Sequence, residues 1–259
     1  MLAGGVAFPL GLEAAPVPVV ADAQRTVVDP ATSMPIPVEM DACGVRLRLV
    51  GYGVRAVTFL RLHVYVAALY VEENALSGIE KAHAAAGDGA CGLEMSMQRW
   101  LQDSVVCAVR IVPVRGTDFA HIRDGLVRAV QARAKDARAG RDALEPLTPE
   151  LENGLAEDIK GLKSAFPRAK MGRGHQLDLV VQRVGSASPA TYALMLLANG
   201  NVLGRIESTS ADVETEGSSE TKRGFTLPVN ILLAYCGERP DISAALRASV
   251  REHLERGLP

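Results

Sequence analysis

The segment from Phe59 to Val71 constrains the fold more than any other part of the chain. It reads FLRLHVYVAALYV, and its β-branched and aromatic residues are typical of a strand longer than most. Successive side chains of a strand point to opposite faces, so one face holds Leu60, Leu62, Val64, Val66, Ala68 and Tyr70. The other face holds Phe59, Arg61, His63, Tyr65, Ala67, Leu69 and Val71. The first face is predicted to be core, and the second, being mixed, either meets solvent or lines a cleft.

Two glycines precede this strand. The segment Gly51-Tyr52-Gly53 predicts a sharp turn, because glycine tolerates positive φ, and such a turn would aim Arg55 back over the sheet. This arginine has two interpretations. It either pairs with a carboxylate or with strand carbonyls as a structural residue, or it supplies a fixed positive charge to a cleft.

Composition excludes several classes of function. A chain of 259 residues with 48% hydrophobic content fits one large α+β domain or two small ones. Its 28 basic residues are spread among 30 acidic ones, which predicts no binding to nucleic acid or to an anionic membrane surface. The chain also lacks the sequence motifs of serine hydrolases, phosphate loops, zinc proteases and dinucleotide sites. Its cysteines have no zinc or redox spacing and are predicted to be buried thiols: Cys43, Cys91, Cys107 and Cys236.

Hydrophobic periodicity predicts the other elements of the chain. Helices are expected over 79–90 (with a loop), from Thr117 or Asp118 to about 134, from Thr148-Pro149 to about 166, and within 227–256. Strands are expected over 105–114, 170–183 and 191–208, the last folded into a hairpin at Asn199-Gly200. Residues 208–224, rich in Ser, Thr and Glu, predict a mobile surface insertion. Together these elements predict an α+β fold in which helices cover one face of a long antiparallel sheet.

Residues 1–36 are predicted to be an apolar stub followed by a proline-rich linker, with a single domain over 37–257. Met1 to Leu12 is apolar but too short to span a bilayer. Acidic residues precede the first basic residue, Arg25, unlike a mitochondrial presequence. The stub is therefore either the tail of a truncated membrane anchor, which would associate the protein with a membrane, or irrelevant to targeting.

Two blocks of the sequence resemble the chalcone isomerase family. Residues 51–72 are similar to the opening sheet of that fold, with its Gly-x-Gly-x-Arg segment and long strand. Residues 110–128, RIVPVRGTDFAHIRDGLVR, are similar to a signature of its fungal mitochondrial members, the "altered inheritance of mitochondria" group. Shorter matches at 199–204 and 242–246 extend the resemblance from about Pro37 to Leu254. The resemblance implies the chalcone isomerase fold and a mitochondrial localisation.

The resemblance also implies a site around Arg55. In plant chalcone isomerases the matching arginine guides the anionic oxygen during intramolecular ring closure. Tyr65, Phe119 and Leu126 stand where those enzymes have a threonine, a tyrosine and an asparagine. Since one such donor is worth about 3 kcal/mol at a transition state, their loss predicts an inefficient isomerase. An intramolecular lyase remains the alternative function.

A more apolar cleft with one fixed cation instead predicts binding of a small hydrophobic anionic molecule. Haem is the first candidate, because the resemblance associates haem with the mitochondrial group, and a fatty acid is the second. His121 is the candidate axial ligand of haem iron, and His63 is a candidate cleft residue. The alternative for each histidine is a hydrogen-bonded structural residue, and this alternative is favoured for His63.

Four further charged residues lie within the signature of residues 110–128. Arg115 and Arg128 are predicted to anchor either a ligand's acid group or the helix ends. Arg123 and Asp124 are consecutive on the predicted helix, where neighbours do not face each other, so they are predicted to have separate partners.

Overall fold

The structure, a computed structural model, describes residues 25–57, 62–86, 93–140, 146–214, 221–237 and 242–256. Its strands are β1 (Thr26–Val28), β2 (Pro35–Pro37), β3 (Glu39–Ala42), β4 (Val45–Val57), β5 (Leu62–Glu72), β6 (Cys107–Pro113), β7 (Thr117–Asp118), β8 (Lys170–Met171), β9 (Leu177–Val184), β10 (Thr191–Ala198), β11 (Asn201–Thr209), β12 (Asp212–Glu214) and β13 (Thr221–Arg223). Its helices are α1 (Glu73–Ala86), α2 (Leu93–Gln102), α3 (Phe119–Arg138), α4 (Pro149–Ala165), α5 (Leu227–Cys236) and α6 (Ala244–Arg256).

Seven strands form one antiparallel sheet in the order β11, β10, β9, β6, β5, β4 and β3. This confirms the predicted α+β fold with its long antiparallel sheet. The predicted strand over 59–71 corresponds to β5, although residues 58–61 lie outside the described part of the chain. The hairpin at Asn199-Gly200 is confirmed as well, and both residues have positive φ, as a type I′ turn requires.

Both faces of the central strand β5 are buried beyond Tyr65. One face contributes Tyr65, Ala67, Leu69 and Val71 to the larger hydrophobic cluster, which also contains side chains from all six helices. The opposite face packs against the N-terminal segment and contributes Val66, Ala68 and Tyr70 to a second cluster. The alternation predicted from sequence is therefore right, but most of the face predicted to be mixed is core.

The segment before the sheet is not an extended linker. β1 pairs with β2, with Thr26 opposite Pro37, and the backbone N–H of Ser33 donates to the carbonyl of Asp29 in the connection. Ile36 is fully buried against the sheet. Residues 25–38 thus form a small hairpin that covers one face of the sheet, whereas the predicted stub within residues 1–24 lies outside the described residues.

The prediction of a turn at residues 51–53 is wrong. Gly51 and Gly53 lie inside β4 and have no positive φ. What they supply is space, because a Cβ built on Gly53 would lie 2.2 Å from the backbone nitrogen of Leu246 in α6. Helix α6 therefore packs directly on the backbone of β4, and the strand, not a turn, positions Arg55.

The helices confirm two predicted starts. α3 begins after Asp118, and its predicted apolar stripe is buried: Phe119, Ile122, Leu126, Val127 and Val130. α4 begins at Pro149, where the Thr148 hydroxyl accepts a hydrogen bond from the Leu151 N–H at 3.4 Å. α1 begins earlier than predicted, and α2 is absent from the prediction. None of the helices in the described ranges combines the length and apolar character needed to cross a bilayer.

The segment 208–224 differs from its prediction as a surface insertion. Ser208 belongs to β11, and both Ser208 and Ser210 are buried. β12 and β13 then pair antiparallel, with Asp212 opposite Arg223. Residues 215–220, between these strands, lie outside the described part of the chain.

Candidate functional site

A cleft of about 510 Å³ lies between the β4–β5 end of the sheet and the first turns of α3. Cavities of this size commonly hold small organic ligands. Four of the six predicted site residues line it, namely Arg55, Tyr65, His121 and Leu126. Most of the residues predicted from sequence to form the site therefore lie in one cleft.

The inner end of the cleft is a polar cluster of three side chains. Arg55 is half-buried on β4, and its Nη1 donates a hydrogen bond to the carbonyl of Ile242 at 2.6 Å. Opposite it on β5 is Tyr65, whose hydroxyl lies 3.4 Å from the hydroxyl of Tyr235 at the end of α5. Both tyrosines are buried. The cluster joins two strands and a helix around one cation.

The tyrosine hydroxyls of this cluster keep their protons at neutral pH. Burial raises the pKa of Tyr65, and the positive charge of Arg55 offsets part of that shift. Burial also raises the pKa of Tyr235 well above its ordinary value, and the neighbouring Tyr65 raises it further. Each hydroxyl is thus able to donate a hydrogen bond to an anion.

Arg55 has no carboxylate partner among the residues that the structure describes. Its recorded acceptor is the neutral Ile242 carbonyl, which does not cancel the positive charge. Of the two interpretations drawn from sequence, pairing with a carboxylate is not seen in this part of the chain, while contact with a carbonyl and a place in the cleft are both present.

The outer end of the cleft is charged and open to solvent. The side chain of His121 is 75% exposed, and its Nδ1 lies 3.9 Å from the carboxylate of Asp118. Arg115 and Arg128 are exposed and also line the cleft. The mouth thus carries two guanidinium groups and one imidazole, together with the carboxylates of Asp118 and Asp124.

The prediction of separate partners for Arg123 and Asp124 is wrong. The Nε of Arg123 donates to the Asp124 carboxylate at 2.8 Å, and this hydrogen bond lowers the pKa of Asp124. Helical spacing directs the Cβ atoms of neighbours apart, but the long arginine side chain bends back along the helix surface and reaches its neighbour.

Two predicted site residues lie outside the cleft. Phe119 is buried in the core, where its ring meets Phe166 edge to face at a centroid distance of 6.3 Å. His63 is exposed and does not line the cavity. The reason is a bulge: Arg55 pairs with Tyr65 and the next residue, Ala56, with His63, so that Val64 is unpaired and the alternation of β5 is interrupted.

Sequence reasoning missed Tyr235. Helix α5 is buried on all sides and has no polar face, so its periodicity gives no sign that one residue meets a cleft. A usable signal was the hydroxyl itself, because a buried tyrosine generally finds a hydrogen-bond partner.

Metal-binding capacity is limited to single side chains. Among the described residues, no group of three or more His, Cys, Asp and Glu is arranged to hold a metal ion. The thiols of Cys107 and Cys236 are free and buried, as predicted, and burial raises the pKa of Cys236 to about 12. Cys43 is only half-buried, and Cys91 lies outside the described ranges.

Comparison with known proteins agrees with the sequence motifs. The model of the chalcone isomerase-like family matches residues 45–209. The chain is 29% identical over 156 residues to altered inheritance of mitochondria protein 18, mitochondrial, of Debaryomyces hansenii, covering 54% of this chain and 49% of that protein. For the same-named protein of Vanderwaltozyma polyspora the identity is 28% over 162 residues, covering 52% and 49%. The chain spans about half the length of these relatives, whose names agree with the mitochondrial localisation expected from the resemblance.

A solved structure shares the fold. An Arabidopsis thaliana fatty-acid binding protein aligns with a TM-score of 0.55 and covers 89% of this chain and 97% of its own. The two sequences are 18% identical, so the likeness concerns the fold alone.

Proposed function

Because the chain belongs to the chalcone isomerase-like family, we propose that its cleft binds a hydrophobic molecule with one carboxylate, such as a long-chain fatty acid. The observation that carries this proposal is the inner cluster, where Arg55 lies beside the hydroxyls of Tyr65 and Tyr235 without a carboxylate partner among the described residues. The fatty-acid binding of the Arabidopsis neighbour supports the same class of ligand.

The donors of the inner cluster suit a carboxylate. A guanidinium has five N–H donors, and the carbonyl of Ile242 takes one donor nitrogen, which leaves others for a ligand. The Tyr65 and Tyr235 hydroxyls stay protonated at neutral pH, and because one donates to the other, one O–H of the pair is left for a ligand. A carboxylate can accept from Arg55 and from that hydroxyl, and such charge-assisted hydrogen bonds are stronger than neutral ones.

The apolar lining of the cleft suits an aliphatic chain. Val64, Ile122 and Leu126 are apolar residues that line the same cleft as the inner cluster. Leu126 stands where the plant enzymes have an asparagine, so this wall offers apolar contact instead of a hydrogen bond. Burial of each additional methylene there is worth about 0.8 kcal/mol, which favours long chains over short ones.

Displacement of a fluorescent fatty acid from the purified protein tests this function. Replacing Arg55 by Gln is expected to weaken binding by about 10-fold to 100-fold, since hydrogen bonds to charged groups contribute about 1.5–3 kcal/mol. Arg99→Gln is the matched control, because Arg99 is an exposed arginine on α2 that pairs with Asp103 away from the cleft. Equal affinity of both variants and the wild type would rule out the proposed site.

Haem is a second candidate ligand, supported by His121. The imidazole lines the mouth of the cleft, and Asp118 beside its Nδ1 can orient the ring so that Nε2 is available to iron. Arg115 and Arg128 lie on the same mouth and can pair with the propionates. These residues fit a group bound through one histidine, and bound haem would supply a redox-active iron.

Absorbance spectroscopy separates haem from the fatty acid. Protein mixed with haem is expected to develop a Soret band that His121→Ala abolishes and that His175→Ala, a change in an exposed histidine outside the cleft, leaves intact. No haem uptake, or identical spectra for both variants, would remove this candidate and leave the fatty acid unaffected.

A further inference from the structure

Two segments that are distant in sequence meet beside the mouth of the cleft. Residues 113–119 run antiparallel to residues 169–174: β7 pairs with β8, with Asp118 opposite Lys170. The Phe119 N–H donates to the carbonyl of Ala169 at 3.2 Å, and the Gly174 N–H donates to that of Pro113 at 3.0 Å. The connection between α4 and β9 therefore forms part of the surface around the opening.

These segments and the helices next to them concentrate positive charge. Residues 113–128 and 160–176 contain only two acidic residues, Asp118 and Asp124, and the second is already paired with Arg123. The same ranges contain eight basic residues, namely Arg115, Arg123, Arg128, Lys160, Lys163, Arg168, Lys170 and Arg173. The chain as a whole has a formal charge of -2, so its composition conceals this local excess.

Six of these side chains form what we call the basic rim: Arg115, Arg128, Lys163, Arg168, Lys170 and Arg173. All six are exposed. None of them makes a side-chain hydrogen bond or an ion pair with another residue in the described ranges. Surface cations normally occur with acids interspersed, as with Arg256 and Glu252 on α6. The rim thus places six cations beside the opening of the cleft, and the carboxylates of Asp118 and Asp124 at the same opening offset only part of this positive charge.

We propose that the basic rim docks the mouth of the cleft on a bilayer that carries acidic phospholipids. Anionic headgroups attract clustered lysines and arginines, and each one near the surface strengthens binding by about fivefold. The place of the rim supports a membrane as the partner, because a hydrophobic ligand would pass between the bilayer and the cleft without crossing water. Transfer of a ligand between the bilayer and the cleft rests on the proposed function, whereas the docking itself does not.

Aromatic residues decide against nucleic acid as the partner of the rim. Single-stranded nucleic acids are generally held by bases stacked on exposed aromatic side chains. The two basic ranges contain two aromatic residues, Phe119 and Phe166, and both are buried against each other. A diffuse layer of headgroup phosphates needs no such platform.

Co-sedimentation with vesicles tests the docking. Vesicles of phosphatidylcholine with phosphatidylglycerol are compared with vesicles of phosphatidylcholine alone, at low and at high salt. The rim variant combines Arg168→Glu, Lys170→Glu and Arg173→Glu, three exposed residues that do not line the cleft. The matched control combines Arg46→Glu, Arg99→Glu and Arg256→Glu, which changes the net charge equally at exposed sites elsewhere.

The wild type and the control are expected to bind the anionic vesicles at low salt, and the rim variant at least about tenfold more weakly. High salt is expected to weaken wild-type binding, because it screens exposed charges. Equal binding of rim variant and control, equal binding to neutral vesicles, or no binding at all would overturn the proposal. If the glutamate variant fails to fold, glutamine at the same three positions provides the same comparison.

Fatty-acid affinity measured without vesicles keeps this proposal separate from the proposed function. The rim variant is expected to retain wild-type affinity for the fluorescent fatty acid, because Arg55, Tyr65 and Tyr235 are unchanged. A protein that binds anionic vesicles but no fatty acid supports docking and refutes only the proposed function. One that binds fatty acid but no vesicle refutes only docking.

Discussion

Arg55 and Arg110 lie on β4 and β6, separated only by β5, yet their guanidinium groups have different hydrogen-bond acceptors. The Nε and Nη2 of Arg110 donate to both carboxylate oxygens of Asp178 at 2.7 and 2.9 Å, and its Cζ lies 5.7 Å from the ring centroid of Tyr70. Arg55 faces the cleft and donates to a neutral carbonyl. Arg110, with its internal carboxylate, is therefore structural, whereas Arg55 meets the cleft with no carboxylate partner among the described residues, and on this difference we base the proposal that Arg55 binds an anion.

The largest expected effect concerns Arg110. Replacing it by Met leaves the buried carboxylate of Asp178 without its partner, which typically costs about 3–5 kcal/mol of the free energy of unfolding. Urea denaturation measures this loss. Combining Arg110→Met with Asp178→Leu removes both charges and is expected to recover most of the stability. A single variant as stable as the wild type would show that Arg110 is not the structural arginine of this pair.

A second prediction gives Arg55 an internal carboxylate partner, as Arg110 already has. Tyr65 lies directly opposite Arg55 across β4 and β5, so Tyr65→Glu gives Arg55 an internal carboxylate. We expect affinity for the fluorescent fatty acid to fall by about 100-fold, because the cation is neutralised and a like charge repels the ligand. Tyr65→Gln is the control of similar shape to Glu. Similar affinities of the two variants would mean that charge at Arg55 does not decide binding.

A smaller effect is expected at the tyrosine that sequence reasoning missed. Tyr235→Phe removes one hydroxyl donor from the inner cluster and keeps the ring that packs in the core. Affinity for the fatty acid should fall by about fivefold, the worth of a hydrogen bond of about 1 kcal/mol. Tyr192→Phe, a change in a buried tyrosine outside the cleft, serves as control.

The dependence of binding on pH is expected to be smaller still. Both tyrosine pKa values are raised, so the hydroxyls lose their protons only above the ordinary value of 10. Fatty-acid affinity should therefore stay constant from about pH 7 to about pH 9 and fall only at higher pH. A decline in affinity near neutrality would contradict binding through the hydroxyls of this cluster.

No effect is expected on chalcone cyclisation. The Phe119 ring lies in the core and Leu126 offers no donor, so the cleft lacks the polar groups that these positions supply in plant enzymes. Cyclisation in the presence of the protein should proceed at the solvent rate and should not change with Arg55→Ala. An acceleration that Arg55→Ala abolishes would favour the lyase over the carrier.

Short sequence patterns correctly predicted the turns, helix starts and buried helix faces that depend on neighbouring residues. The Asn199-Gly200 hairpin, the start of α4 at Thr148 and the buried stripe of α3 follow from turn chemistry, capping and helical period, and all three are present. Arg55 was selected on motif resemblance rather than on geometry, and it lines the cleft. The two glycines before it were misjudged, since glycine supplies either positive φ or room for a neighbour, and sequence alone does not distinguish these uses.

The remaining features of the site depend on contacts that single-sequence patterns do not contain. His63 lies outside the cleft because a bulge at Val64 interrupts the alternation of β5. Tyr235 reaches the cleft from a helix without a polar face. The basic rim combines two ranges that are distant in sequence, and tertiary contacts such as the pairing of β7 with β8 bring them together.

The close contact between Gly53 and α6 gives a residue outside the cleft control over its chemistry. Ile242, whose carbonyl accepts a hydrogen bond from Arg55, comes two residues before α6. The position of this helix on β4 therefore affects the distance between the Arg55 guanidinium and that carbonyl. Even one methyl group at residue 53 would lift the helix and uncouple that donor from its acceptor. A substitution at Gly53 would thus change ligand preference without changing any side chain that lines the cleft.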